Sequence, residues 1–251
     1  MPTVLYENNN YERGTDMKLT WLGQAGYRIV TDCGTVIVID PYMSDSLHAE
    51  KGDDYLREVP INEDILHSHI DILVFTHCHA DHVDFGTLDV MLAGEPLTVL
   101  ASLNSLHKIR NRYMGEHNYV MFDEGIETII NGITFRSVYA AHTDEKAIGV
   151  VVEADGKVLI HTGDTQYHRR LKNEYPENAD VLLLPVNGKG CNMNIADAVR
   201  LTNELKPKRV YPMHWDMFRK FGADVNEYIR LCEGKENLEV VIPEHYAEHE
   251  I

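Results

Sequence analysis

An α/β/β/α sandwich, with two mixed sheets facing each other and helices on their outer faces, is the fold class this sequence predicts. The order of its segments carries the prediction: a meander of short β-branched runs is followed by an alternation of apolar strands and helix-compatible stretches, and the same order then occurs again. Two such halves satisfy one another, because each sheet needs one face covered by its partner and the other by helices. No Pro/Gly/Ser-rich linker interrupts residues 17–251, so both halves belong to one compact domain, with 1–16 set apart as an N-terminal segment, loose or packed as an edge.

The first meander reads as strands at 18–22, 27–31 and 35–39, separated by Gly23-Gln24-Ala25-Gly26 and Asp32-Cys33-Gly34. Those separators have turn composition, with glycines free to take positive φ and side chains that bond their own backbone. A strand at 71–76 leads through a polar segment to a helix-compatible stretch at 84–93, then a strand at 97–101 and a helix at 103–112. In that helix Leu103, Leu106 and Ile109 recur on one face. The second meander covers 125–131, 133–140, 147–154 and 157–162, with Asn131-Gly132 and Asp155-Gly156 as hairpin turns. After it come a strand at 180–186, a helix at 195–205, a strand at 208–213, a helix at 225–232 and a last strand at 238–242.

The charge narrows the function. Among 251 residues, 40 acidic side chains against 23 basic ones give a formal net charge of −17. Such a chain repels polyphosphate backbones, and no basic stripe exceeds Lys206, Lys208 and Arg209, so nucleic acid is disfavoured as a partner. No window approaches the ~18 apolar residues of a membrane span, and the first residues lack the basic-then-apolar pattern of a secretory signal; a cytoplasmic protein is expected. Cys33, Cys78, Cys191 and Cys232 lie far apart with no C-x-x-C pair, which argues for reduced thiols over a zinc knuckle or disulfide framework. The 14 histidines are the unusual number.

They cluster. Directly after Ile72-Leu73-Val74-Phe75-Thr76 comes His77-Cys78-His79-Ala80-Asp81-His82. Residues two apart in such a loop point the same way, so His77 and His79 can present two imidazoles to one cation. Asp81 and His82, turned the other way at the start of the next helix, can serve a second. One histidine alone would be a surface or capping residue; three with an aspartate at the mouth of a buried strand point to metal. His142, Asp164 and His214 each follow an apolar strand, at the edge where strand tips converge. Together they complete what two first-row divalent cations need, about three protein ligands each plus a bridge.

On these residues the sequence resembles the metallo-β-lactamase superfamily over 17–243. The resemblance implies that His77, His79 and His142 hold one metal, that Asp81, His82 and His214 hold the other, and that Asp164 bridges them. Asp40, in Ile39-Asp40-Pro41, matches the superfamily's aspartate after an early strand, near the site but behind the ligands. Within the superfamily the sequence is most similar to the L-ascorbate-6-phosphate lactonases, in the run from Thr76 to Asp84, in His161-Thr162-Gly163-Asp164-Thr165-Gln166-Tyr167, and from Asn192-Met193-Asn194 to Tyr211-Pro212-Met213-His214-Trp215-Asp216. It departs from them in being shorter and in carrying Gln166, where they have a histidine, with His168 two residues on.

The resemblance implies two zinc or manganese ions, with iron also accepted by such ligands, hydroxide attack on a sugar-phosphate lactone, Asp81 and Asp164 as the catalytic carboxylates, and a homo-oligomer. For a small anionic substrate, Lys189 and Asn187 in Val186-Asn187-Gly188-Lys189-Gly190 offer a flexible anion-binding turn. Arg219 and Lys220 offer a second clamp, and Tyr167 and Trp215 candidate pocket walls. Two rival readings keep the ligands: a phosphodiesterase acting on nucleotides or RNA, and a non-hydrolytic metal or redox protein.

Overall fold

The computed structural model describes residues 17–251; the 1–16 segment lies outside the described residues. The first sheet is built from β1 (Lys18–Gly23), β2 (Gly26–Val30), β3 (Val36–Ile39), β4 (Ile72–Phe75), β5 (Thr98–Ala101) and β6 (Asn118–Met121). The second takes β7 (Glu127–Ile130), β8 (Ile133–Tyr139), β9 (Ile148–Ala154), β10 (Lys157–His161), β11 (Val181–Pro185), β12 (Arg209–Met213) and β13 (Glu239–Val240). A last strand, β14 (Glu248–Glu250), returns to pair antiparallel with β1, which gives seven strands in each sheet. Both sheets are mixed: β1 to β3 and β7 to β10 run antiparallel, and β3 to β6 and β10 to β13 run parallel.

Strand alternation places the core. In β4, Ile72 and Val74 face the second sheet while Leu73 and Phe75 face outward; in β11, Val181 and Leu183 point in while Leu182 and Leu184 point out. These strands are apolar on both faces because both faces are covered. The outer face of the first sheet packs on α3 (Phe85–Met91) and α4 (Leu103–Arg112) through Leu88, Met91, Leu106 and Ile109. That of the second packs on α6 (Ile195–Leu205) and α7 (Val225–Cys232) through Ala198, Leu201, Leu205, Tyr228 and Cys232.

The sandwich read from the sequence is therefore the observed fold. Three short helices, α1 (Ser46–Lys51), α2 (Glu63–Leu66) and α5 (Leu171–Glu174), carry no strong period and were not anticipated, nor were β6 and β14. The strand expected at 238–242 pairs over only two residues. No helix of the described residues is long and apolar enough to cross a membrane.

Candidate metal centre

Topology gathers the site residues. Because β3, β4, β8, β10 and β12 all run the same way, the loops leaving them open at one edge of the sandwich, carrying Asp40, His77 to His82, His142, Asp164 and His214. The loop after β4 is a tight turn in which the amides of His82 and Val83 donate to the His79 carbonyl at 3.1 and 2.8 Å. Asp81 and His82 lie in this turn rather than in the helix itself, since α3 begins only after Asp84, whose carboxylate accepts from the Gly86 and Thr87 amides.

Backbone conformations at this edge are costly for L residues. Asp40 and His214 have φ of 45° and 62°, and Gln24, in the β1–β2 turn, has 52°. Such left-handed conformations persist only where surrounding contacts over-determine them. Gly163 is required: its φ is +61°, and a Cβ there would lie 2.6 Å from the Ile148 carbonyl oxygen. Only glycine lets the chain turn there and aim Asp164 into the site.

The side chains form two triads. His77, His79 and His142 bring their rings to 4.4–4.7 Å between centroids. Their donor atoms lie within 4.8 Å of one another, as do those of Asp81, His82 and His214. The rings of His77 and His82 join the triads at 3.9 Å. Oδ1 of Asp164 reaches 2.7 Å from Nε2 of His214 and 3.4 Å from Nε2 of His82.

The decisive observation is what these atoms lack. Nε2 of His77, His82, His142 and His214, together with Oδ1 of Asp164, are buried and make no well-formed hydrogen bond, their close approaches being to one another. Buried polar atoms are normally satisfied, and five imidazole and carboxylate atoms left bare at one focus are the donor set a divalent ion takes. The residues fit the metals that the sequence implied.

Asp40 also lies within ligating range of His77 and His82, but its oxygens are already engaged. Oδ1 accepts from the Thr76 amide at 2.8 Å, and Oδ2 accepts from the Thr76 hydroxyl and, at 2.8 Å, from Nδ1 of His82. Thr76 Oγ1 in turn lies 3.1 Å from Nδ1 of His77. A proton on each Nδ1 satisfies this chain and turns Nε2 to the site, where it ligates once His82 has given up its second proton, so Asp40 orients ligands from behind. His142 differs: the Asp144 amide donates to its Nδ1 at 3.0 Å, so ligation through Nε2 requires the ring proton to shift to Nδ1 and this contact to open. Asp40→Asn is expected to weaken metal affinity by roughly 10- to 100-fold, measured by competition with a chromophoric chelator; unchanged affinity would remove Asp40 from the assembly.

Charge is shared unevenly. Burial, aided by neighbouring His82, pushes His77 well below the ordinary histidine range, and burial brings His142 down to about 4. Burial also opposes protonation of His82, but the carboxylates of Asp164, Asp40 and Asp81 outweigh it and raise this one ring well above 6.5. Asp164, despite its own desolvation, is held well below the usual carboxylate range by His214 and His82. In the ligand-free site His82 is an imidazolium among carboxylates, and the buried His77 ring is neutral.

A cleft of about 640 Å³ opens over the site, with Asp81, Asp164, His79, His142 and His214 in its wall. Lys189 and Asn187 line it as expected; the Lys189 ammonium donates to the carbonyls of Lys220 and Gly222, and Asn187 Nδ2 to that of Phe221. Trp215 and Arg219 do not line it. Trp215 turns into the core, stacked on Trp21 at 5.5 Å with its indole N–H on the Pro212 carbonyl. Arg219 points outward to Glu58 at 2.8 Å. The chain reverses after His214 and sends both away from the cleft. Lys220 pairs with Asp54, and Tyr167 bonds Glu204 outside the site.

Three supporting residues escaped the sequence reading. Gln24 Nε2 holds Asp81 Oδ2 at 2.8 Å, Asn192 Nδ2 holds Asp164 Oδ2 at 3.2 Å, and Asp144 accepts from the Cys78 amide and from Asn104, bracing the ligand loop. Gln24 had one signal, a polar residue within a glycine-flanked turn, and Asn192 another, in heading the Asn192-Met193-Asn194 run that carries the resemblance; Asp144 had none. His161, although inside a motif, is a fully bonded core residue, donating to the Ala25 carbonyl and accepting from the Gly163 amide.

Two imidazole-rich triads joined by a carboxylate at the strand tips of a double-sheet sandwich define a metallohydrolase centre. Residues 35–215 match the beta-lactamase superfamily domain, and the chain belongs to that family, as a metal-dependent hydrolase of the metallo-β-lactamase fold. It is 27% identical over 238 residues to a UPF0173 metal-dependent hydrolase of Pyrococcus furiosus, a match covering 90% of this chain and 97% of that one. Among solved structures it is similar to Igni18, a metallo hydrolase of the archaeon Ignicoccus hospitalis, with TM-score 0.74 and 22% identity over 94% of this chain and 98% of that one. The metallo-beta-lactamase fold protein YhfI of Bacillus subtilis gives TM-score 0.71 at 17% identity, covering 93% and 99%.

Proposed function

We propose that this chain is a binuclear metallohydrolase that opens a lactone ring in a small anionic substrate, with a sugar-phosphate lactone as the model case. The observation that carries the reading is the pair of triads whose bare ring nitrogens face Asp164 on the floor of a cleft. Two divalent ions, zinc or manganese, would be held by His77, His79 and His142 and by Asp81, His82 and His214, with Asp164 between them. Such ions supply Lewis acidity and water of lowered pKa for attack on a carbonyl. Asp81, steadied by Gln24, is the carboxylate best placed to carry a proton from the attacking water to the leaving ring oxygen. Ring opening adds one water and yields a hydroxy acid.

An anionic substrate is supported by the lysines. Lys51, Lys108 and Lys189 line the cleft, and among the described residues none of them has a carboxylate partner: Lys108 donates to the Cys78 carbonyl and Lys51 sits over the Tyr55 ring. The same lining carries Glu50, Asp81, Asp84 and Asp164; with Asp81 and Asp164 committed to metal, the three lysines exceed the two remaining carboxylates and favour an anion there. Lys189→Ala is expected mainly to raise KM, which steady-state kinetics will read; a fall in kcat at constant KM would contradict an anchoring role.

The test is turnover by protein reconstituted separately with manganese and with zinc, against a sugar-phosphate lactone and a generic phosphodiester. Lactone opening is expected; phosphodiester cleavage alone would keep the ligands and discard the substrate.

A further inference from the structure

Two amide oxygens in the cleft have nothing to accept. Asn192 donates through Nδ2 to Asp164 Oδ2 at 3.2 Å, and Asn187 through Nδ2 to the Phe221 carbonyl at 3.1 Å. Carboxylate and carbonyl oxygens only accept, so both side-chain orientations are fixed and Oδ1 is the atom left over in each. Both Oδ1 atoms are buried without a hydrogen-bond partner, both residues line the cleft, and Asn192 is 8% exposed. Their loop is pinned: the Gly188 amide donates to the Met193 carbonyl at 2.9 Å, and the Met193 amide to the Thr165 carbonyl at 2.8 Å. These are acceptors built in place before any substrate arrives.

An amide oxygen is complemented by an O–H or N–H donor and by no phosphate, carbonyl or methylene. With Asp81 and Asp164 committed to metal, Lys51, Lys108 and Lys189 outnumber the remaining carboxylates of the lining, Glu50 and Asp84, which disfavours an ammonium donor. We propose that Asn192 and Asn187 read neutral hydroxyl groups of the substrate, so that the cleft selects polyhydroxylated molecules over their deoxy counterparts. The inference rests on the cleft being the substrate site of the reading above and adds what that substrate carries: hydroxyls next to the reacting centre, where Asn192 touches Asp164. A deoxy analogue leaves both oxygens buried and unpaired, and each is expected to discriminate by about 5- to 150-fold.

The experiment compares glucono-δ-lactone with δ-valerolactone, the same ring without hydroxyls, on the metal-loaded wild type, Asn192→Ala and Asn187→Ala. The readout is the change in the ratio of their kcat/KM values between wild type and variant, which cancels the intrinsic reactivity of the two lactones. It also cancels any general loss from a loosened Asp164, and Asn187→Ala leaves that contact untouched. The expected result is a ratio that falls about tenfold in each variant; an unchanged ratio in both overturns the proposal. If the wild type opens neither of these neutral lactones, the lactonase reading stands or falls on the sugar-phosphate lactone above, while the inference is decided by calorimetric binding of gluconate against hexanoate. Tighter gluconate binding that is lost in Asn187→Ala supports it, and equal affinities refute it.

Discussion

Replacing Asp164 by alanine abolishes turnover, with an expected fall in kcat/KM of at least about a thousandfold, and lowers the metal content of the reconstituted protein. The magnitude follows from its position. Among the described residues Asp164 is the one carboxylate whose oxygen approaches a ring nitrogen at 2.7 Å, that of His214, and its other oxygen is held in register by Asn192. Removing it takes away the negative charge that faces His82 and His214 and leaves Asn192 Nδ2 without its acceptor. Metal analysis by mass spectrometry alongside single-substrate kinetics checks the pair of effects. Full activity in Asp164→Ala would end the two-metal account.

Metal affinity is expected to fall about tenfold for each unit that pH drops between 6.5 and 5. The sign follows from the unequal titration of the rings. His82, raised well above 6.5 by Asp164, Asp40 and Asp81 despite its burial, is protonated throughout this window. His77, pushed well down, and His142, at about 4, stay neutral in it. Loading a metal through Nε2 of His82 therefore expels the proton that this ring holds. Titration calorimetry in buffers of different ionisation enthalpy reads that proton directly, and no release at pH 6 would contradict the assignment. In the metal-free protein these groups act oppositely on stability. The contribution of His82 is fully present below pH 6.5 and lost as pH rises through its folded value, whereas that of His77 and His142 is present above 6.5 and lost as pH falls toward 4.

The sandwich was legible because its signals are local and repeated. Alternating apolar strands such as Ile72 to Phe75 and Val181 to Leu184, and the Asn131-Gly132 and Asp155-Gly156 turns, need no partner to be recognised. The seven candidate ligands were legible for a related reason: all stand in loops that leave apolar strands, so reading the strand end locates the loop. What escaped depends on long-range pairing. β14 is three residues whose strand character comes from β1, more than 200 positions away. Gln24 meets Asp81 across 57 positions, and Asn192 meets Asp164 across 28. Trp215 and Arg219 were drawn into the cleft by their nearness in sequence to His214, but the left-handed φ of His214 turns the chain, and both side chains find better partners elsewhere, Trp215 in Trp21 and Arg219 in Glu58. Sequence adjacency places a backbone; packing decides where its side chains go.

The central claim is the binuclear centre itself, and anomalous diffraction at the metal absorption edge, from crystals of zinc- or manganese-loaded protein, tests it most directly. The account predicts two peaks, one within ligating distance of His77, His79 and His142 and one of Asp81, His82 and His214, with Asp164 reaching both. A single peak, or metal bound away from these triads, would contradict it.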